Sequence, residues 1–255
     1  MKKFTQTSKH HIRVDLALVE KGLAKNRSRA QALVLAGKVF SGEQRINKAG
    51  MLIQKDMPLE VRGQDHPWVS RGGVKLNHAL NQFQINVDHK ICLDIGSSTG
   101  GFTQVLLSRG ALRVYSVDVG HGQLDWKLRT DNRVILLEKT NARHLSINEI
   151  PEQIDLIVCD ASFIGLETLL PSALSLASPN AILSALIKPQ FEAGKDQVGK
   201  GGIVKNPDVH EAVCKRISSW INNLPEWKSL NIIESPIAGA EGNKEFFIHA
   251  ERKKI

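Results

Sequence analysis

Lys90-Ile-Cys-Leu-Asp-Ile-Gly-Ser-Ser-Thr-Gly-Gly-Phe-Thr-Gln-Val-Leu-Leu-Ser-Arg-Gly110 reads as an apolar strand, a turn of small residues and an amphipathic helix with a glycine stop. A short apolar run without polar alternation is the pattern of a strand covered on both faces, so this unit predicts the first strand-turn-helix of an open α/β sheet. Ligands of such sheets bind outside the carboxyl ends of the strands. The turn is therefore the candidate site: Gly96, Gly100 and Gly101 remove side chains where backbone must approach a ligand, Ser97, Ser98 and Thr99 offer hydroxyls at the rim, and Phe102 follows directly.

The next strand, Leu112–Asp118, ends in an acid 22 residues after Gly96, the spacing at which a carboxylate receives ribose hydroxyls. Two details separate this turn from a dinucleotide site. Gly-x-x-x-Gly-Gly is not the Gly-x-Gly-x-x-Gly that seats a pyrophosphate on a helix N-terminus, and Asp94 would repel phosphates. A carboxylate there suits a cationic ligand, and S-adenosylmethionine is an adenosine-bearing sulfonium.

Working outward, Ile154–Phe163 is another buried strand and delivers Asp160 at its carboxyl end; Leu166 to Ala177 reads as a helix, and Ala181 to Ile187 as a strand delivering Lys188. A third strand, Val134 to Glu138, precedes Asn141. Lys75 and Glu245 are isolated charges beside apolar chain. The glycine- and lysine-rich stretch 190–207 has no periodicity and predicts a mobile substrate loop after Lys188.

The first 64 residues differ in kind. They carry 13 Lys and Arg against 5 Asp and Glu, whereas the remaining 191 carry 21 of each, so the whole net charge of +8 sits in the N-terminal quarter. Two domains follow, 1–64 (core about 12–62) and 65–255, and a one-signed footprint on the smaller points to nucleic acid. Within it, Ile12–Glu20 has helical apolar spacing up to Gly22, and Ser28 with Gln31 matches a capping box before a second helix ending at Gly37. Two brief strands flank Ser41-Gly42, and Leu52–Val61 is a further extended stretch.

The run Ile12–Val39 resembles the RNA-binding module named after ribosomal small-subunit protein four, a small α+β fold. That resemblance implies Arg13, Lys25, Arg27, Arg29 and Lys38 as RNA-backbone contacts, acting by phosphate neutralisation. Asp94-Ile-Gly-Ser-Ser-Thr-Gly-Gly-Phe-Thr, Cys159-Asp-Ala-Ser-Phe, Ile187-Lys-Pro-Gln-Phe-Glu, Gly201-Gly-Ile-Val and Gly242-Asn-Lys-Glu-Phe-Phe together resemble the TlyA family of FtsJ-like ribosomal RNA methyltransferases, some of which are called hemolysins. The resemblance implies a Rossmann-like class I methyltransferase domain with a mostly parallel seven-stranded sheet, S-adenosylmethionine as cofactor, and methyl transfer to a ribose 2′-hydroxyl, of cytidine, in 16S or 23S ribosomal RNA. It also implies a Lys75-Asp160-Lys188-Glu245 tetrad, with Asp94, residues 96–102, Asp118, Asn141 and Asp160 around the donor. Asn141 stands where such enzymes often place an acid against adenine. A lysine base must shed its proton, and burial of Lys188 beside Lys75 is the expected device.

Nine histidines and three cysteines show no metal-ligand spacing, and Cys92 and Cys159 lie in strand-like runs, so no metal is expected. No apolar run is long enough for a membrane helix and the N-terminus is polar, which predicts a cytoplasmic protein bound to ribosomal RNA or ribosomal subunits and not to membrane. An RNA-binding assembly factor with an inactive fold, a base methyltransferase and a cytolysin are the alternatives. The intact four-residue pattern, the lack of an Asn-Pro-Pro-Tyr-like run after Asp160, and an aromatic content of 5% weigh against them in turn. The charge division predicts that removing residues 1–64 abolishes RNA binding in a filter or mobility-shift assay while donor binding by calorimetry stays within about twofold.

Overall fold

The computed structural model describes residues 11–24, 26–62, 66–239 and 242–253, and the chain divides into two compact units, Met1–Asp65 and His66–Ile255. Lys25, His10 and the expected boundary at 64/65 lie outside the described residues.

In the first unit β1 (His11–Arg13) leads into α1 (Val14–Glu20), followed by α2 (Arg27–Leu35), β2 (Val39–Ser41), β3 (Gln44–Arg45), β4 (Leu52–Gln54) and β5 (Glu60–Val61). The first helix starts later than its periodicity suggests, because Ile12 pairs with Ile53 in an antiparallel β1–β4 ribbon. The cap of α2 is Asn26, whose side chain accepts the Arg29 N–H at 2.9 Å; the Ser28 capping box does not form. Leu52–Val61 is two strands, not one: β4 pairs β1, and β5 joins β2 and β3 in a second small sheet. Val14, Leu18, Ala30, Leu33, Val34, Val39, Ile46 and Ile53 make the core.

Beneath that core lies Asp15, fully buried on the first turn of α1. Its carboxylate accepts from Arg13 Nε (3.0 Å) and Nη2 (2.9 Å), from Arg27 Nε (2.9 Å) and from Gln31 Nε2 (3.0 Å). Arg13 and Arg27, expected as RNA contacts, thus lock α1 to α2 and keep only part of their surface for another partner, with side chains 40% and 54% exposed.

The second unit opens with α3 (Gly72–Gln82). It continues through β6 (Ile91–Ile95), α4 (Gly101–Ser108), β7 (Arg113–Val117), α5 (Trp126–Arg129), β8 (Val134–Leu137), β9 (Ile154–Cys159), α6 (Leu166–Leu169) and α7 (Pro171–Ser175). The unit closes with β10 (Ala177–Ile187), α8 (Pro189–Glu192), α9 (Pro207–Asn222), β11 (Trp227–Glu234) and β12 (Phe246–Arg252). The strands form one seven-stranded sheet in the order β11-β12-β10-β9-β6-β7-β8. All neighbours from β10 to β8 are parallel; β12 runs antiparallel to both β10 and β11. Side chains alternate between two cores: Leu93, Ile95, Tyr115, Val117, Ile157 and Cys159 face α6, α7 and α9, whereas Cys92, Val114, Leu156, Val158 and Phe247 face α3 and α4. Burial on both faces is why these strands read as continuous apolar runs.

The expected helix over 166–177 is interrupted. Leu170 ends one turn, Pro171 starts the next at its N-terminal position, and Ala177 already belongs to β10. Nor is 190–207 structureless: it holds α8, a 3₁₀ turn at Lys195–Gln197 and a Gly199–Ile203 bridge, and Asn243 accepts Val204 N–H at 3.0 Å and donates to Gly202 O at 2.9 Å. Among the described residues no helix is long and apolar enough to cross a membrane.

Replacing Asp15 with Ala leaves two arginines without their buried acceptor and should destabilise the first unit by about 3–5 kcal/mol in urea denaturation. The arginine hydrogen bonds hold the Asp15 carboxyl well below the ordinary carboxylate range. Its contribution is therefore complete above the unfolded value of about 3.9 and disappears as pH falls from there toward the lower folded value, so wild type and Asp15→Ala should converge in stability only under strong acid.

Candidate active site

The order of the strands reverses between β6 and β9: β7 and β8 are added on one side, β10 on the other. At such a switch point the loops leaving the strands diverge and open a crevice at their carboxyl ends. A cleft of about 700 Å³ lies there, lined by Gly96 and Ser98 after β6, Asp118 after β7, Asn141 after β8 and residues 160–164 after β9.

Asp118 is fixed by the backbone around it: Oδ2 accepts Ser98 N–H at 2.8 Å and Oδ1 accepts Gly120 N–H at 2.7 Å. Each oxygen keeps lone-pair capacity for a hydroxyl in the cleft. Asn141 caps the 3₁₀ turn Ala142–His144 through its carbonyl oxygen, which accepts Arg143 N–H at 3.1 Å, and also lines the cleft. Val117, Val119, Ala142, Ile164 and Leu169 supply an apolar wall.

The glycine turn works differently from the sequence expectation. Gly96, at φ +80°, lies against strand β9: an added Cβ would sit 3.0 Å from the backbone of Ala161. At Gly101 a Cβ would meet Ser70 Oγ at 2.2 Å and Gly73 N at 2.8 Å, so it is the start of α3 that requires the missing side chain. Gly101, and Gly100 against Leu124 and Leu128, are thus required by chain packing, and neither lines the cleft. Thr99 and Phe102 are outside the cleft too. The Thr99 carbonyl accepts Asp125 N–H at 3.2 Å, and the Phe102 ring is in the α3/α4 core, 6.1 Å from that of Phe247.

Asp94 is held inside the fold. It is fully buried under the turn, accepting Thr103 Oγ1–H at 2.7 Å, with Thr103 also bonded to Ser116 at 2.7 Å. Its other oxygen, and the buried Ser97 hydroxyl, have no hydrogen-bond partner among the described residues. Burial pushes the Asp94 carboxyl up to about 7, with the Asp160 and Asp118 charges adding to the rise and Thr103 opposing it.

The four charges distant in sequence meet. Lys75 arrives on α3, Asp160 at the end of β9, Lys188 at the end of β10 and Glu245 just before β12. Lys75 Nζ lies 2.6 Å from Glu245 Oε2 and 3.9 Å from Asp160 Oδ2, and Lys188 Nζ lies 2.6 Å from Asp160 Oδ1. Lys188 also donates to the Asp160 carbonyl (3.1 Å) and Ser162 Oγ (3.0 Å). Lys75, Lys188 and Glu245 are all at least nine-tenths buried. Asp160 is shared by the two lysines, giving the row Glu245–Lys75–Asp160–Lys188. Asp160 belongs to both this row and the cleft wall. Sequence reading passed over Ser162, whose hydroxyl fixes Lys188, and Gln123, which accepts from Ser98 Oγ at 3.2 Å and lines the cleft. Neither has a signal in the sequence beyond nearness to a strand end or a turn.

A switch-point cleft with acids at the ends of its strands, under a sheet whose last strand is reversed, defines a methyltransferase-type domain. Comparison with known proteins supplies the family: residues 68–252 match the FtsJ-like methyltransferase model and residues 12–58 the S4 domain model. A relative from Mycobacterium tuberculosis, the 16S/23S rRNA (cytidine-2'-O)-methyltransferase TlyA, is 45% identical over 92% of this chain and 88% of its own length. A solved Streptococcus thermophilus structure provisionally called a hemolysin is 37% identical, covers 97% of this chain and 90% of that one, and has a TM-score of 0.76. The Bacillus cereus O-methyltransferase in complex with SAH shares the fold at 20% identity, over 72% of this chain and 82% of its own, with a TM-score of 0.51. The chain therefore belongs to the FtsJ-like methyltransferase family, with an S4 domain preceding the methyltransferase fold.

The buried Asp94 carboxyl yields a test of the site's electrostatics. An acid whose folded value is raised costs stability as pH climbs from the unfolded value of about 3.9 to the folded one near 7. Asp94→Asn should therefore raise the stability of the free protein at pH 8 by on the order of 1–3 kcal/mol, and the gain should vanish at about pH 4, as read by urea denaturation at the two pH values.

Proposed function

We propose that this protein transfers a methyl group from S-adenosylmethionine to a ribose 2′-hydroxyl of ribosomal RNA, at cytidine in the small-subunit RNA, the large-subunit RNA or both. The observation that carries the reading is the row of four charges, three of them buried and Asp160 half-buried, drawn from separate elements to the wall of the adenosine-sized cleft. Charges are costly to bury, and four placed together without a reaction to serve would be a poor use of a core. The same observation disfavours an assembly factor with an inactive fold.

The cleft suits the donor. Asp118 offers acceptors for the ribose hydroxyls, the Asn141 amide can read an adenine edge from the apolar wall, and Asp160 complements a cation at the other end. The cofactor supplies its methyl as an electrophile on a sulfonium. A ribose hydroxyl is a weak nucleophile, and positioning plus removal of its proton are what the chain must add. Lys188, oriented by the Asp160 carbonyl and Ser162, is the base. Lys75, held by Glu245, orients the hydroxyl or its neighbouring phosphate. Asp160 keeps the two amines apart and in register. A shift of about 1 Å in such an arrangement costs on the order of 100-fold in rate, which gives Glu245 its purpose as the holder of Lys75.

The substrate is captured by the first unit. Arg29, Lys38 and Lys25, with the exposed flanks of Arg13 and Arg27, are its RNA-facing set, and they bind backbone shape more than base edges. A ribosomal RNA substrate places the protein in the cytoplasm.

Labelled donor incubated with each ribosomal subunit, followed by mapping of 2′-O-methyl sites, tests the reading: methyl on a base, or none, refutes it. Lys188→Ala should lower kcat by about 100-fold or more while leaving donor affinity within about twofold, since it removes the base and none of the adenosine contacts. Wild-type turnover by that variant would return Lys188 to a structural role.

A further inference from the structure

Glu192 is a carboxylate for which the proposed reaction has no use, yet its side chain is only 3% exposed. It ends α8, the single turn that begins immediately after Lys188. Oε1 accepts the Leu166 N–H at 2.8 Å, and Oε2 accepts Arg216 Nη2 at 2.8 Å. The same Nη2 donates to the Glu192 carbonyl at 3.0 Å, while Nη1 binds Glu167. Burial pushes the Glu192 carboxyl up, against the pull of the Leu166 amide and Arg216. Gly165 leaves room for it: a Cβ there would lie 3.1 Å from Oε2.

These contacts join two segments that must be in register. One is 160–169, which carries Asp160 and Ser162 and supplies much of the cleft wall; the other is 188–192, which carries Lys188. They are bridged at three successive places: Lys188 to Asp160 and Ser162, Phe191 to Phe163 with ring centroids 4.9 Å apart, and Glu192 to Leu166. The first bridge is the proposed base itself and the second uses Phe163, which is 88% exposed and sits at φ +67°. A non-glycine residue in that region persists only where surrounding contacts over-determine it. The third bridge is the one anchored to a long helix, since Arg216 projects from α9.

We infer that Glu192 and Arg216 are positioning residues for methyl transfer: their ion pair holds the Asp160–Phe163 wall at the distance from Lys188 that the reaction requires. The inference rests on the proposed roles of Asp160 and Lys188. A slack clamp leaves the donor's adenosine contacts at Asp118 and Asn141 in place and the RNA-binding unit intact, so the loss falls on turnover and not on binding.

Full-length wild type, Glu192→Gln, Arg216→Lys and Lys188→Ala are compared for kcat and KM on ribosomal RNA, donor Kd by calorimetry and thermal midpoint. Glutamine can still accept the Leu166 N–H but loses the ion pair; lysine keeps the charge but cannot bridge Glu192 and Glu167 as a fork does. Glu192→Gln should reduce kcat by about 10- to 100-fold, with KM and donor Kd within about twofold, and Arg216→Lys should move in the same direction by less. Wild-type kcat in the folded variants overturns the inference, and so does a loss of kcat matched by an equal loss of donor affinity, which would mark a merely structural contact. If Glu192→Gln does not fold, Arg216→Lys, at a side chain 43% exposed, is judged by the same criteria. Full activity of Glu192→Gln beside an inactive Lys188→Ala removes the clamp alone, whereas methyl transfer by Lys188→Ala at the wild-type rate removes the reading on which it stands.

Discussion

Asp160 sits at the carboxyl end of β9, the strand beside which the sheet changes direction, and both the cleft and the charge row depend on that placement. One carboxylate oxygen faces Lys188 and the other Lys75, while its backbone carbonyl accepts from Lys188 as well. Two ammonium groups buried so near each other would be prohibitive without an anion between them, and the half-buried Asp160 carboxylate is that anion. The rest of the second unit can be understood as holding this row in place. Gly96 lets the turn after β6 lie against the Asp160–Ala161 backbone that follows β9, α3 presents Lys75, and the reversed strand β12 follows Glu245.

The first unit relies on a smaller version of the same device. Asp15 at the start of α1 gathers Arg13, Arg27 and Gln31, and two short helices that would be marginal alone become one packed element. In both units a buried carboxylate with several donors fixes the relative position of pieces of chain, but with different consequences. Around Asp15 the donors come from neighbouring sequence and the result is a local lock; around Asp160 they come from α3 and β10, and the result is a reactive geometry.

Much of the architecture was legible because its cause is local. The apolar runs over Ile91–Ile95, Ile154–Cys159 and Ala181–Ile187 could only be covered strands, and the residues following them, Gly96, Asp160 and Lys188, had to lie at one edge of the sheet. The helix 207–222 was legible too, though unread: Asn206 caps it, Pro207 opens it, and Val209, Val213, Ile217 and Ile221 recur every four residues on its buried face. The cap of α2 was misassigned to Ser28 because two candidate caps stand two residues apart and only the end of the preceding turn decides between them. The stretch 190–207 looked structureless because its order comes from Asn243, which is near it only in the folded chain.

By itself the sequence determined the sheet, the division of charge between two modules, and the set of polar residues delivered to strand ends. Those follow from periodicity, composition and turn chemistry, which act over a few residues. Tertiary structure alone decided what each residue faces: Asp94 buried against Thr103, Gly100 and Gly101 packed against neighbouring chain, Arg13 and Arg27 bonded to Asp15, and Asp160 placed between two lysines 85 and 28 positions away. The direction of a side chain depends on which elements close over it, and that is settled only by long-range packing.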